Sequence, residues 1–197
     1  MHWRDTYTQK AQYWTRIFRC VPGVRAVFLS GSLAAGQGSE SSDIDLFFII
    51  RPGYLYIART IINGILTVTG RLAKAENHPG KICPNHFVST DYLAFDEENP
   101  YVAGLVANMK PLYGSELLPL FHWSNRNLLK KYGRTFLTTK PPEIPTKPAH
   151  RLIELVDKKL QTLTHKKIFQ WNDDLPKNHG IVLERDQIRL HPKPRAK

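Results

Sequence analysis

Two aspartates one residue apart open an apolar run of the chain. Asp43 and Asp45 flank Ile44 at the start of the segment IDLFFII, whose composition is typical of a strand buried on both faces. Side chains at positions i and i+2 of a strand point to the same side, so the two carboxylates would lie close together. Like charges at that spacing repel each other unless they share a cation, and Mg²⁺ prefers such oxygen ligands. The pair therefore predicts a divalent metal site.

A glycine and a serine follow the preceding apolar run, residues 24–30. Gly31 and Ser32 stand between that predicted strand and a short helix predicted over 33–35. Backbone N–H groups at such a helix start, with a hydroxyl beside them, form an anion site, and glycine lets a phosphate approach closely. The loop of residues 36–42 is small and polar enough to leave room for a triphosphate. Together with the aspartates, these features predict a metal–triphosphate site.

Other interpretations of the same residues are open or excluded. Asp43 could cap a turn, with Asp45 solvated at the end of a strand. A run rich in glycine and serine is usually a linker, but this one lies between two strands of a compact pattern. A Walker phosphate loop is excluded because no Gly-Lys-Ser/Thr sequence occurs, and Gly36 and Gly38 lack the third glycine of a dinucleotide-binding fingerprint.

Further elements must position these residues. The spacing of apolar residues predicts an amphipathic helix over 7–19, strands over 24–30 and 44–50, a long apolar helix over 54–72 and a third strand over 81–90. Pro84 would make the third strand an edge strand or shorten it. Later helices are predicted over 101–109, over 117–132 with an early break at Pro119, and over 150–171.

The combined pattern resembles the DNA polymerase β-like nucleotidyltransferase superfamily, in particular its minimal bacterial members. Gly31-Ser32, ten residues and then Asp43-Ile44-Asp45 carry the resemblance, and the order of elements extends it over residues 7–95. It implies an α+β fold in which a small mixed sheet is flanked by helices. It also implies transfer of a nucleoside monophosphate from ATP or another NTP to a hydroxyl of a small molecule, a protein or RNA, with release of pyrophosphate.

The same resemblance implies roles for the site residues. Asp43 and Asp45 would be the catalytic residues and would hold Mg²⁺ or Mn²⁺, while Gly31, Ser32 and the amides after them would hold the β- and γ-phosphates. Active members of the superfamily commonly add a third carboxylate from the third strand, which binds a second metal or activates the acceptor hydroxyl.

The third strand of this chain departs from that pattern, because KICPNHFVST contains no Asp or Glu. Asn85 could be a weak metal ligand, His86 a base and Asp91 a displaced carboxylate, although a structural role is the default interpretation of each. The alternative function is therefore a catalytically inactive nucleotide- or nucleic-acid-binding module of the same fold.

Composition and charge bear on partners and domains. With 28 Lys and Arg against 17 Asp and Glu, the chain has a net charge of +11, which suits an anionic partner but also describes an ordinary basic surface. We predict a nucleotidyltransferase domain over 1–138, a proline-rich linker over 139–149, and a basic helical segment and tail over 150–197. RNA or a protein partner could bind through this last part, and the chain could be one half of a two-protein system.

The two cysteines, Cys20 and Cys83, are too few and too far apart for a disulfide framework and fit a reducing cytoplasm. Cys83 and His86 form a C-x-x-H pair, but no second pair has matching spacing, so a buried cysteine is favoured over a zinc site. The N-terminus lacks an apolar signal core and no apolar run is long enough to span a bilayer. We therefore expect a cytoplasmic protein without a membrane partner.

Overall fold

The structure is a computed structural model of the chain, and it describes residues 2–73, 79–136, 141, 149–171, 182–183 and 187–189. The helices are α1 (Trp3–Phe18), α2 (Gly31–Ala34), α3 (Leu55–Val68), α4 (Pro100–Asn108), α5 (Leu117–Ser124), α6 (Arg126–Lys131) and α7 (Arg151–Trp171). The strands are β1 (Val24–Leu29), β2 (Ile44–Ile50), β3 (Ile82–Ser89), β4 (Lys110–Tyr113), β5 (Val182–Leu183) and β6 (Gln187–Arg189).

All six of these strands form one mixed sheet in the order β4-β1-β2-β3-β6-β5. Strand β1 is antiparallel to β2 and β4, and β6 is antiparallel to β3 and β5. Strands β2 and β3 are parallel, and α3 connects them, as a parallel pair requires a crossover. The predicted fold class, a small mixed sheet flanked by helices with a further helix near the C-terminus, is confirmed.

Strand β2 is buried on both faces, which explains its apolar sequence. One face packs into a core shared with α1 and α3, and the other into a core shared with α4, α5 and α6. Because side chains alternate along a strand, Asp45 belongs to the face that carries Phe47 and Ile49. Every residue of β2 is buried, and Asp45 is the charged residue among them.

The prediction that Pro84 makes β3 an edge strand or shortens it is wrong. Strand β3 has eight residues and lies between β2 and β6. Its pairing with β2 shifts after Leu46 and Pro84, so that Phe47 pairs with His86 and Asn85 is left over as a bulge. Strand β6 pairs with residues 86–88, so the missing N–H of Pro84 lies outside that ladder, at the bulge where proline is tolerated.

The predicted early break of a helix at Pro119 is also wrong. Pro119 is the third residue of α5, where a backbone N–H would have no acceptor within the helix. The helical stretch is interrupted instead at Asn125, between α5 and α6. The side-chain amide of Asn125 donates to the carbonyl oxygens of Leu93 and Phe121 at 2.8 and 2.9 Å and accepts from the N–H of Phe95 at 2.9 Å. This buried asparagine ties the loop after β3 to the helices.

The sequence pattern does not predict β4, β5 or β6. Strand β4 is largely exposed and contains Pro111, which is compatible with its place at an edge of the sheet. Strands β5 and β6 have two and three residues, too few for a periodic pattern. Ile188 of β6 is nevertheless fully buried in the core that contains α1 and α3.

Helix α7 packs against α3 through a buried carboxylate. The residue before α3, Tyr54, makes no side-chain cap. Asp157 of α7 takes that role, because its Oδ1 accepts a hydrogen bond from the N–H of Ile57 at 2.8 Å. Burial raises the pKa of Asp157, and hydrogen bonds from the backbone at the start of α3 act in the opposite direction. This contact lies beyond the last residue of β2, at the opposite end from Asp45.

The division into 1–138, 139–149 and 150–197 stays a prediction. Most of the linker and most of the tail lie outside the described residues. Of the helices that the structure describes, none combines the length and apolarity needed to cross a bilayer.

Replacing Asp157 with alanine should destabilise the protein by about 1–3 kcal/mol, because it leaves partly buried N–H groups at the start of α3 without an acceptor. Glu154→Ala removes a carboxylate from an exposed position of the same helix and should cost less than about 1 kcal/mol. Urea denaturation of both variants and the wild type measures the difference. Equal losses in the two variants would contradict the capping role of Asp157.

Candidate functional site

The start of β2 lies directly against the start of α2. The N–H of Ser30 donates to the carbonyl oxygen of Asp45 at 3.0 Å, so the end of β1 faces the beginning of β2. Gly31 has a φ of +65°, and a Cβ atom at this position would lie 2.0 Å from Oδ2 of Asp45. Both the backbone conformation and the space demand glycine. The structure thus brings Gly31 into contact with one of the two predicted metal ligands.

Helix α1 holds the loop of residues 36–42 in place. Arg4 and Tyr7 donate side-chain hydrogen bonds to carbonyl oxygens of this loop at 2.9 and 2.6 Å. Two consecutive N–H groups of the loop donate to the carbonyl oxygen of Ser32 at 2.9 and 3.1 Å. The loop is therefore a defined turn folded back on Ser32, and it is not a linker.

Strand β3 adds a thiol and an amide to the aspartates. The N–H of Ile44 donates to the carbonyl oxygen of Lys81 at 2.8 Å, and Asp45 pairs in register with Cys83. The ligand atoms of Asp43, Asp45 and Cys83 lie within 4.8 Å of one another. Asn85 donates from Nδ2 to Oδ1 of Asp45 at 3.2 Å. The third strand thus presents Cys83 and Asn85 where the resemblance implies a carboxylate.

Asp45 occupies an electrostatically unfavourable position. Its side chain is buried, and this burial, together with the negative charge of Asp43, raises the pKa of Asp45 to about 7. Hydrogen bonds from Asn85 and Cys83 act in the opposite direction but do not compensate. Burial and the two carboxylates also raise the pKa of the Cys83 thiol. A bound cation would favour the ionised carboxylates and relieve their repulsion.

The other two third-strand candidates lie in different surroundings. His86 is buried in an aromatic cluster, with its ring centroid 5.6 Å from that of Phe47 and 6.1 Å from that of Phe95. Asp91 is exposed and follows the C-terminal end of β3, where the N–H of Thr90 donates to the carbonyl oxygen of Ile50. Since β2 and β3 are parallel and β2 has seven residues, that end is about 20 Å from Asp45. Asp91 is therefore too distant to act as a displaced carboxylate at the aspartate pair.

Cys83 is the residue whose position the sequence does not reveal. The C-x-x-H spacing groups it with His86, but the bulge at Asn85 places His86 against Phe47 and leaves Cys83 beside Asp45. The proximity of Cys83 to Asp45 could have been predicted from parallel pairing of β2 and β3 from their first residues onward. This pairing places residue 83 opposite residue 45.

Comparisons with known proteins give little further information. No family model matches the sequence, and no curated protein matches it. Among solved structures, the chain is similar to a crystal structure of a toxin-antitoxin with AMP-PNP, with 12% sequence identity and a TM-score of 0.36 over 80% of this chain and 96% of that chain. A likeness of this degree transfers no activity to the present chain.

Replacing Gly31 with alanine should destabilise the protein more than the same change at Gly36. Both glycines have a positive φ, of +65° and +73°, but a Cβ at Gly36 meets no atom within 4 Å. Gly36→Ala should therefore cost about 1–2 kcal/mol from backbone strain. Gly31→Ala should cost a further 1–3 kcal/mol or so from overpacking against Asp45. Thermal denaturation compares the two, and equal losses would contradict the close contact.

In metal-free buffer, stability should fall as the pH rises from about 4 to 8. The native state retains a proton on Asp45 up to about pH 7, whereas the unfolded chain releases it near pH ~3.9, so the unfolded state binds fewer protons in this window. Asp45→Asn should weaken this dependence, leaving the contribution of Asp157, whose pKa is also raised, and should gain stability over the wild type as the pH rises, by up to roughly 4 kcal/mol. Urea denaturation at pH 5 and pH 8 measures this. Parallel pH profiles of the two proteins would contradict it.

Proposed function

We propose that the chain is an Mg²⁺-dependent or Mn²⁺-dependent nucleotidyltransferase that transfers a nucleoside monophosphate from ATP or another NTP to a hydroxyl acceptor. The observation that carries the proposal is the contact between Gly31, at the start of α2, and Asp45, at the start of β2. Binding of a metal–triphosphate needs N–H donors and carboxylates side by side. Here the two groups adjoin, and Asp43 stands within a few ångströms.

The donor atoms of the aspartate pair fit Mg²⁺. This ion is usually held by one or two carboxylates together with substrate phosphates, and Asp43 and Asp45 supply two carboxylates. Cys83 is a poor ligand for such a hard cation, so we assign Mg²⁺ to the aspartates alone. When bound, Mg²⁺ would stabilise the charge that develops on the transferred phosphate and the leaving group.

The chain itself would bind and orient the nucleotide. The hydroxyl of Ser32 and the first N–H groups of α2 would hold the β- and γ-phosphates, and Gly31 would let them approach the backbone. The turn of residues 36–42, fixed by its hydrogen bonds to α1, would give the phosphates a rigid wall. Asn85 would keep the Asp45 carboxylate in one orientation through its hydrogen bond. Positioning and electrostatic stabilisation are the main sources of rate acceleration in this chemistry.

Thermal shift with each NTP, with and without Mg²⁺, tests the proposed binding. The wild type should gain stability only when both are present, by about 2.7 kcal/mol when the ligand is at 100 times its Kd. Asp43→Asn and Asp45→Asn should lose this gain. Asp91→Asn is the matched control, because it removes an exposed carboxylate at the opposite end of β3, and it should respond like the wild type. A wild type that shows no Mg²⁺-dependent shift with any NTP would contradict the proposal.

A second candidate function is a nucleotide- or nucleic-acid-binding module without catalysis. The observation that favours it is the side chains of β3, since Cys83 and Asn85 lie beside Asp45 where a third carboxylate would be needed to activate an acceptor. Release of pyrophosphate in the presence of small-molecule, protein or RNA acceptors separates the two candidates. Mg²⁺-dependent NTP binding without such release, together with an RNA affinity that falls steeply with salt, would support the second.

We also propose that the C-terminal part of the chain binds RNA or a protein partner. The described part of α7 exposes four basic side chains, namely Arg151, Lys158, Lys159 and Lys166. These residues would contact RNA phosphates or an acidic protein surface.

A further inference from the structure

Cys83 gives the candidate site one soft ligand atom beside two hard ones. Its sulfur and the carboxylate oxygens of Asp43 and Asp45 lie within 4.8 Å of one another. Magnesium sites in proteins are built from oxygen atoms, whereas Zn²⁺ accepts cysteine sulfur and aspartate oxygen in the same coordination sphere. The three side chains together therefore have the chemistry of a zinc-type site more than that of a pure magnesium site.

Two buried oxygen atoms beside Asp45 independently indicate a ligand. Ser30 is fully buried, and its N–H bond to Asp45, with Leu29 paired to Leu46, sets its side chain opposite Asp45 on the same face of the sheet. Within the described residues, Oγ of Ser30 has no hydrogen-bond partner. Oδ1 of Asn85 has none either, although this residue is only 5% exposed and its Nδ2 donates to Asp45.

Buried polar atoms in proteins nearly always have a partner, and each exception calls for an explanation, such as a water molecule or an ion that completes the set. Ser30 directly follows β1 and Asn85 lies in β3, and these are the two strands that pair with β2 on either side of Asp45. A hydrated cation held by that carboxylate would bring polar groups to Ser30 and Asn85 at the same time. The two unpartnered oxygens and the donor set of three ligands thus point to one location.

We propose that Asp43, Asp45 and Cys83 bind a thiophilic divalent cation of the Zn²⁺ type, which competes with Mg²⁺ for the two aspartates. Three protein ligands leave a fourth coordination position open, as in zinc sites that take a water molecule or a substrate. Binding replaces the S–H bond of Cys83 with a metal–thiolate bond, and the proton leaves to solvent. The proposal concerns the same aspartates as the proposed function, but it needs no nucleotide.

Titration of the full-length, metal-free protein with Co²⁺ tests this proposal, in the absence of nucleotide and with a phosphine reductant. The wild type should bind one equivalent with a thiolate-to-cobalt charge-transfer band in the near ultraviolet, and Zn²⁺ should displace it. Cys83→Ser should lose the band and should bind Zn²⁺ at least tenfold more weakly, since even outer partners of a metal site contribute about 10–100-fold in affinity. Cys20→Ser is the matched control, because Cys20 is exposed and distant in sequence, and it should behave like the wild type.

A wild type without the band, a band that persists in Cys83→Ser, or a band that disappears in Cys20→Ser would overturn the proposal. Alkylation of the wild type gives a second measurement that does not depend on the folding of any variant. Zn²⁺ at about ten times its Kd should slow the alkylation of Cys83 about tenfold, because only the metal-free fraction keeps a reactive thiol. It should leave the alkylation of Cys20 unchanged. Equal rates at Cys83 with and without Zn²⁺ would count against the site. Because both experiments omit nucleotide, their failure is distinguishable from failure of NTP binding.

Discussion

The contact between Gly31 and the carboxylate of Asp45 fixes the end of β1, the start of α2 and the start of β2 at one point. Any side chain at residue 31 would collide with Asp45, since the space for a Cβ is 2.0 Å from Oδ2. This contact places the backbone N–H groups of α2 next to the carboxylate pair. Other parts of the fold support this contact from two sides, because α1 holds the loop of residues 36–42 and β3 carries Asn85 to the same carboxylate.

Burial of a carboxylate beside another carboxylate costs stability, and the surrounding fold offsets this cost. The remaining residues of β2 are apolar and fully buried in the two cores on either side of the sheet. Burial of each large aliphatic or aromatic side chain in such a core stabilises the fold by roughly 1.5–3 kcal/mol. The strand therefore forms despite the unfavourable electrostatics of Asp45. A buried carboxylate of this kind does not stabilise the fold. Unfavourable groups that the surrounding structure tolerates are typical of functional sites.

The bulge in β3 reconciles two demands on consecutive residues. Asn85 must reach Asp45, and His86 must complete the aromatic cluster around Phe47, yet neighbouring residues of a regular strand point to opposite faces. One extra residue in β3 turns both side chains to the same face. The same shift leaves Cys83 opposite Asp45, so the chemical character of the site depends on where the bulge lies. The cation preference that we propose would therefore follow from strand register as much as from residue type.

The sequence by itself determined the local parts of this protein. The helices and strands from α1 to β3 follow from the periodicity of apolar residues, and the i, i+2 spacing of Asp43 and Asp45 follows from the pleat of one strand. These signals are local, because each depends on residues within one turn or one strand. The tertiary structure decided which residues of β3 meet Asp45, that Asp157 caps α3, and that the short strands β4, β5 and β6 complete the sheet. Such contacts join segments that are distant in the chain, and the register, bulges and side-chain directions that create them are set by packing across the whole fold.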